Sequence, residues 1–244
     1  MAGRINIDVP AEIIGMELKF VYNEPVAGLA DALVIGDVHL GIEYELQRKG
    51  YNLALQYRKV AEKINALLKQ TKATTIIFLG DLKHDVYGMK GQEERMLNAF
   101  FRLLKAKRII VCKGNHDSHI EDCKGIEVAA PEGLLYEDTE TLLLHGHALP
   151  DATLLKAAKT ICFGHEHALA QIEDGKHASS QKIWIVGVQN KKKFIIFPHF
   201  GDLVGGREFD AGKPLNRFLT KAALKKADAY LLSGLKLGKL GKLA

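Results

Sequence analysis

The sequence predicts an α/β protein in which two mixed β-sheets pack as a sandwich with α-helices on the outside. Three observations lead there. Short aliphatic and β-branched runs alternate with helical stretches in the first half of the chain. The second half holds mostly short strand-like runs. Five small clusters of Asp, His and Asn follow such runs, nearly every one directly. At 244 residues, 47% hydrophobic and 26% charged, the chain has the profile of one large globular core.

The elements can be justified in order. Residues 32–36 (ALVIG) form an apolar run that stops at Asp37. A helix is predicted where Val60, Ile64, Leu67 and Leu68 fall on one face at i, i+4, i+7, i+8. Residues 74–79 (TTIIFL) read as a strand ending at Gly80-Asp81. A second helix carries Met96, Phe100, Leu103 and Leu104 on one face, and residues 108–112 (RIIVC) lead into Gly114-Asn115-His116-Asp117. This βαβαβ rhythm implies parallel strands buried on both faces. Beyond Gly125, strands are expected at 125–129, 134–137, 141–144, 160–163, 168–172, 182–188 and 194–197. One short helix is expected after Asp151, a suitable N-cap.

Composition narrows the function classes. No apolar stretch reaches membrane-spanning length, and the first residues lack the apolar core of a signal peptide, so a cytoplasmic protein with no membrane partner is expected. Three unpatterned cysteines, Cys112, Cys123 and Cys162, imply neither a disulfide framework nor a Cys-based zinc site. The net charge is +5. From Ala211 onward eight basic residues face the single acid Asp228, a surplus of seven that leaves residues 1–210 at −2. The reading is therefore one domain over 1–210 and a basic C-terminal appendage over 211–244, packed on the core. In that appendage, residues 214–227 read as a short surface helix and 230–243 as a hairpin turning near Gly234. Its leucines supply apolar faces and its lysines a solvated one. Nucleic acid is a possible partner, but only Phe218 and Tyr230 are aromatic, fewer than a stacking platform for single strands wants.

The five clusters are Asp37-Val38-His39, Gly80-Asp81, Gly114-Asn115-His116-Asp117, His145-Gly146-His147 and Gly164-His165-Glu166-His167. Imidazole nitrogen with carboxylate and amide oxygen is a donor set for divalent metals. In parallel α/β sheets, ligands bind beyond the carboxyl ends of strands, where the clusters fall. Together they point to a two-metal site that cleaves phosphoesters.

In this order the clusters resemble the calcineurin-like metallophosphoesterase superfamily, over residues 37 to 167. Gly36-Asp37-Val38-His39-Leu40-Gly41 and Gly80-Asp81-Leu82-Lys83-His84 resemble its double-strand-break nuclease branch. Gly41-Ile42-Glu43 and Phe197-Pro198-His199-Phe200 resemble a group of small archaeal SbcD-related phosphoesterases. The resemblance implies a metallophosphoesterase-like fold and two metals, manganese first, with iron or zinc as alternatives. It assigns Asp37, His39, Asp81 and His167 to one metal and Asp81, Asn115, His145 and His165 to the other, with Asp81 bridging. It makes His116 the acid at the leaving group, oriented by Asp117, and puts His84 at the scissile phosphate. His84 reads equally well as a polar loop residue. His147 is left out of the metal set, Glu43 reads as orienting a neighbour or solvated, and Glu166, His119, His177 and His199 receive no role.

The nucleases of this branch also carry a DNA-capping domain, for which the chain is too short, so DNA-end processing is not assumed. The expected activity is phosphodiester hydrolysis, including that of a DNA nuclease. The alternatives are a phosphomonoesterase acting on nucleotides or other small phosphates, and a binding module that has lost turnover. The oligomeric state is not indicated.

Overall fold

The computed structural model describes residues 17–87, 91–174, 177–209 and 214–243, and its elements track the apolar runs of the sequence. Strands β1 (Leu18–Phe20), β2 (Val26–Leu29) and β3 (Ala32–Ile35) form an antiparallel meander. Helices α1 (Ile42–Arg48) and α2 (Tyr57–Thr71) follow, then β4 (Thr75–Phe78), α3 (Gln92–Leu103), β5 (Arg108–Cys112) and β6 (Glu127–Ala129). Strands β3 to β6 pair in parallel, with Leu33 opposite Ile76 and Ile76 opposite Ile109. The first sheet runs β1-β2-β3-β4-β5-β6.

The second sheet takes β7 (Leu134–Tyr136), β8 (Thr141–Leu144), β9 (Thr160–Phe163), β10 (Ala168–Asp174), β11 (His177–Gln189), β12 (Lys192–Ile196) and β13 (Arg207–Glu208), in the order β13-β10-β11-β12-β9-β8-β7. It is mixed: β8, β9 and β12 are parallel, while β7 on β8 and β10 on β11 are antiparallel. Between β8 and β9 lies α4 (Ala152–Ala157), capped as expected by Asp151, which accepts from the N–H groups of Thr153 and Leu154 at 2.8 and 2.9 Å.

Alternation along each strand sorts the core into layers. Val34, Ile77 and Ile110 of the first sheet meet Leu143, Cys162, Ile195 and Phe197 of the second, and this inter-sheet layer also holds Trp184. The Trp184 ring stacks on Phe20 with centroids 4.0 Å apart, clamping one sheet to the other. Leu33, Ile35, Ile76 and Phe78 point the opposite way, onto Ile64, Leu67 and Leu68 of α2 and Met96, Leu97 and Phe100 of α3. Each such buried side chain contributes about 1.5–3 kcal/mol over an exposed one. The outer face of the second sheet packs under α4 and α5 (Lys221–Lys226). This is the sandwich with outer helices that the sequence predicts.

The C-terminal segment adds strands β14 (Asp228–Leu231) and β15 (Lys236–Lys239), an antiparallel pair in which β14 also pairs with β11. Lys236 and Lys239 sit 3.3 and 2.7 Å from Asp228. The helix expected over 214–227 is shorter, starting only at Lys221. The Asn216 side chain accepts from the N–H groups of Phe218 and Leu219 at 2.8 and 3.1 Å, a local turn that competes with helix. Thr220 then caps α5. The expected boundary at 210/211 and Lys213 lie outside the described residues. No helix among the described residues is long and apolar enough to cross a membrane.

Candidate metal centre

Parallel pairing sends the carboxyl ends of β3, β4 and β5 to one edge of the first sheet, and those of β8, β9 and β12 to one edge of the second. Asp37, Asp81 and Asn115 follow the first set; His145, His165 and His199 follow the second. The loops interlock. The N–H groups of Val38 and His39 donate to the Asp81 carbonyl at 3.1 and 2.9 Å, that of His165 donates to Asp37 Oδ1 at 3.1 Å, and that of His116 to Asp81 Oδ1 at 2.9 Å. The backbone is strained here: His39, Asp81, His165 and His167 all have positive φ, at 52°, 44°, 69° and 45°. Non-glycine residues in this region cost about 1–3 kcal/mol each and persist where the surroundings fix them. Gly114 allows the closest approach, since a Cβ there would meet Asp81 Oδ1 at 2.2 Å.

Two groups of side chains combine carboxylate with imidazole, Asp37, His39 and His167, and Asp81, His145 and His165, and a third, His39, His84 and His116, holds imidazoles alone; the ligand atoms of each lie within 4.8 Å of one another. His167 Nε2 is 3.2 Å from Asp37 Oδ1 and 3.4 Å from His39 Nε2. His145 Nε2 is 3.2 Å from Asp81 Oδ2 and 3.1 Å from Asn115 Oδ1. Asp81 Oδ2 stands between the first two groups, 3.8 Å from His39 Nε2. Every metal-ligating residue expected from the sequence is therefore in one place.

The donor chemistry fits divalent cations. His145 Nδ1 donates to the Leu79 carbonyl at 2.9 Å and His167 Nδ1 to the Gly205 carbonyl at 3.1 Å. These bonds leave Nε2 of each ring turned toward carboxylate oxygens, an arrangement that calls for a proton or a cation between them. Without a cation the site holds protons. Burial opposes it, but the Asp81 hydrogen bond and the Asp37 and Asp81 charges lift His145 to about 9. Burial likewise works against ionised Asp37, yet His167, His145 and His39 hold it far below the carboxylate range. Asp81, opposed by burial and favoured by His145, falls to about 2. Burial pushes His39 down to about 3 and, with the His145 charge, His165 to about 4. Two ionised carboxylates and two neutral imidazoles are already in ligand form, and a cation would displace the remaining protons.

A sequence model for calcineurin-like phosphoesterases matches residues 31–169, more than half of the chain and the whole of the cluster. The chain belongs to the calcineurin-like phosphoesterase family. No curated protein matches this phosphoesterase by sequence. Among solved structures, the Pseudomonas putida nuclease MPE superposes with a TM-score of 0.55 at 18% identity, covering 88% of this chain and 97% of that one. The E. coli phosphoesterase Yfce covers 68% of this chain and 77% of its own at 19% identity and a TM-score of 0.34. A predicted phosphoesterase from Streptococcus pneumoniae covers 82% and 88% at 14% identity and a TM-score of 0.34.

Around the ligand groups of this phosphoesterase, several residues stand in places the sequence did not indicate. Asp117, expected to orient His116, instead accepts from the N–H groups of Leu82, Lys83 and Gly114 at 2.9, 3.2 and 2.9 Å. It staples the loops after β4 and β5 together. The His116 ring is held by the His84 carbonyl, 2.5 Å from Nδ1, with Nε2 facing Asp81 Oδ2 at 3.9 Å. Both nitrogens of His84 are engaged: Nε2 by Glu45 at 2.7 Å, Nδ1 by Nδ1 of His39 at 3.4 Å. A direct phosphate contact by His84 would require breaking one of these. Buried Glu43 accepts from the Gln56 N–H at 2.6 Å, so it orients a neighbour.

Glu166, given no role from the sequence, is fully buried between His165 and His167. Its carboxylate accepts from Arg207 at 2.8 Å and from the Asn216 N–H at 2.7 Å, tying the C-terminal segment to the loop that carries both histidines. His199 is buried with its ring 5.3 Å from that of His167, and the His147 ring lies 5.3 Å from that of His145. The signal for His199 was available: like the others, it follows a strand.

Proposed function

We propose that the protein is a phosphodiesterase of nuclease type that works with two divalent cations. The observation that supports this reading is the place of Asp81 Oδ2, 3.2 Å from His145 Nε2 and 3.8 Å from His39 Nε2, from which one carboxylate would serve both ligand groups. Asp37, His39, Asp81 and His167 would hold the first cation, and Asp81, Asn115, His145 and His165 the second. When bound, two such ions supply a hydroxide nucleophile at neutral pH and balance charge that builds on phosphoryl oxygens. Mixed imidazole, carboxylate and amide donors suit manganese, iron or zinc, and the resemblance to the family puts manganese first.

The chain's own residues do the rest. With Nδ1 anchored on the His84 carbonyl, His116 presents Nε2 to the site. As the bond from phosphorus to the leaving oxygen breaks, the imidazolium gives its Nε2 proton to that oxygen, so that an alcohol departs and a phosphate monoester remains. Asp117 keeps the two loops that carry Asp81 and His116 in register. His84, backed by Glu45, orients the His39 ring. The buried thiols Cys112 and Cys162, free of disulfides, agree with a reducing compartment, the cytoplasm. The nuclease named above shares this fold, which makes DNA the first substrate to try.

The test is hydrolysis by metal-stripped protein refilled with manganese, with single-stranded DNA and p-nitrophenyl phosphate run side by side and His116→Ala as control. DNA cleavage that disappears in the variant is expected. Monoester hydrolysis without DNA cleavage would instead make the protein a phosphomonoesterase.

A further inference from the structure

A groove of about 800 Å³ opens beside the candidate metal centre, between α1 and the loop after β4. Tyr44, Gln47, Arg48, His84, Gln92 and His116 line it. His116 also lines the neighbouring cleft that holds Asp81, His165 and His167, so it stands at the doorway between the two. A proton donor has to lie within hydrogen-bond reach of the oxygen it protonates. A leaving group departing on the side of His116 would have this groove open to it. Its volume is within the range of sites that enclose whole small molecules, about 300–1,000 Å³, and exceeds what a phenolate or a short alcohol fills.

The charges in the groove narrow the class. Glu45 is paired with Lys49 at 2.5 Å and with His84 at 2.7 Å, and Glu93 lies 3.8 Å from Lys83. Asp85 caps the Tyr87 N–H at 3.0 Å. Arg48 is exposed, basic and without an ion pair among the described residues. It is three residues beyond Glu45 on α1, and residues at that spacing share a helix face, with Cβ atoms about 5–6 Å apart. Since Glu45 touches His84, Arg48 stands about one helical turn further along α1 from the doorway. A planar guanidinium is suited to bidentate binding of phosphate.

We propose that this groove is the leaving-group subsite for a polynucleotide and that Arg48 binds the phosphate next to the scissile one. The assignment rests on the phosphodiesterase reading above. Tyr44 supplies an aromatic surface for a base or sugar, and Gln47 and Gln92 supply amides.

The experiment uses the full chain loaded with manganese, as wild type, Arg48→Gln and Arg48→Lys. Three substrates are compared: a ten-residue oligothymidylate, the dinucleotide TpT and bis-p-nitrophenyl phosphate. The ratio of kcat/KM for the oligothymidylate to that for bis-p-nitrophenyl phosphate should fall about tenfold in Arg48→Gln, mostly through KM, as a charge-assisted phosphate contact is lost. The slope of log kcat/KM against log salt for the oligothymidylate should shrink by about 0.7, the value for one phosphate contact on a single strand. Arg48→Lys should recover most of that slope. The ratio for TpT, whose leaving group has no second phosphate, should stay within twofold of wild type. An unchanged ratio and slope, or an equal drop in the ratios for TpT and the oligothymidylate, would overturn the role of Arg48. A wild type that hydrolyses none of the three would instead sink the phosphodiesterase reading, and this assignment with it.

Discussion

Glu45 Oε2 lies 2.7 Å from Nε2 of His84, and this contact sets the proton arrangement of a neighbour it does not touch. With His84 donating from Nε2, its Nδ1 is the acceptor that faces His39 Nδ1 at 3.4 Å. His39 then carries its proton on Nδ1 and turns a free Nε2 lone pair toward Asp81 and His167. Groups that orient a metal-ligating imidazole this way are typically worth 10–100-fold in metal affinity or activity. Glu45→Ala should therefore weaken manganese binding by about tenfold or more, measured by calorimetric titration of metal-stripped protein. Glu45→Gln, whose amide oxygen still accepts, should lose less. Equal affinities in all three proteins would show that His39 needs no such support.

The anchoring of His116 on the His84 carbonyl makes a prediction about leaving groups. A general acid contributes about 10²–10⁴-fold where the departing oxygen is basic, and much less where it is not. His116→Ala should lower kcat on dithymidylate by that factor and on bis-p-nitrophenyl phosphate by far less, since p-nitrophenolate leaves without a proton. A matched loss on both substrates, read from initial rates, would move His116 from proton donor to a binding role.

The buried Glu166 carboxylate predicts a stability effect. Glu166→Ala strands the Asn216 N–H and takes the carboxylate from Arg207. The cost should be about 1.5–3 kcal/mol, the range for hydrogen bonds to charged groups, with the lower end favoured because Arg207 is partly exposed. Glu166→Gln keeps the acceptor for Asn216 and should cost about half as much. Urea unfolding of metal-stripped protein measures this. Coincident midpoints for wild type and Glu166→Ala would mean the C-terminal segment is held elsewhere.

What the sequence discloses of this molecule follows from period and from loop position. The βαβαβ half was legible because its strands are buried on both faces and read as unbroken apolar runs, as in Ala32–Ile35 and Thr75–Phe78. The strand ends then located Asp37, Asp81, Asn115, His145 and His165 together. Strands β1 and β2 were missed because three- and four-residue stretches, one containing Gly28, carry too little pattern. Helix α1 was missed because its seven residues, with Glu43 and Glu45 interrupting the apolar positions, give only two turns of periodicity. The partners of Asp117, a residue the sequence marked only as orienting His116, and the role of Glu166 escaped for a different reason. The partners of these two residues are main-chain N–H groups and an arginine brought in by folding from as far as 50 residues away, which spacing within a motif cannot show.

The measurement that bears most directly on the whole account is manganese titration of metal-stripped protein, read both as ions bound and as bis-p-nitrophenyl phosphate hydrolysis. Wild type and Asp81→Asn are compared, because Asp81 Oδ2 stands between the two ligand groups, 3.8 Å from His39 Nε2 and 3.2 Å from His145 Nε2. The account predicts that wild type binds two ions and gains activity as the second is taken up. It predicts that Asp81→Asn loses the pair of high-affinity sites and falls by at least about a hundredfold in rate, the lower bound for losing a large electrostatic contribution to the transition state. Full hydrolysis by Asp81→Asn, or by wild type carrying no ion, would contradict it.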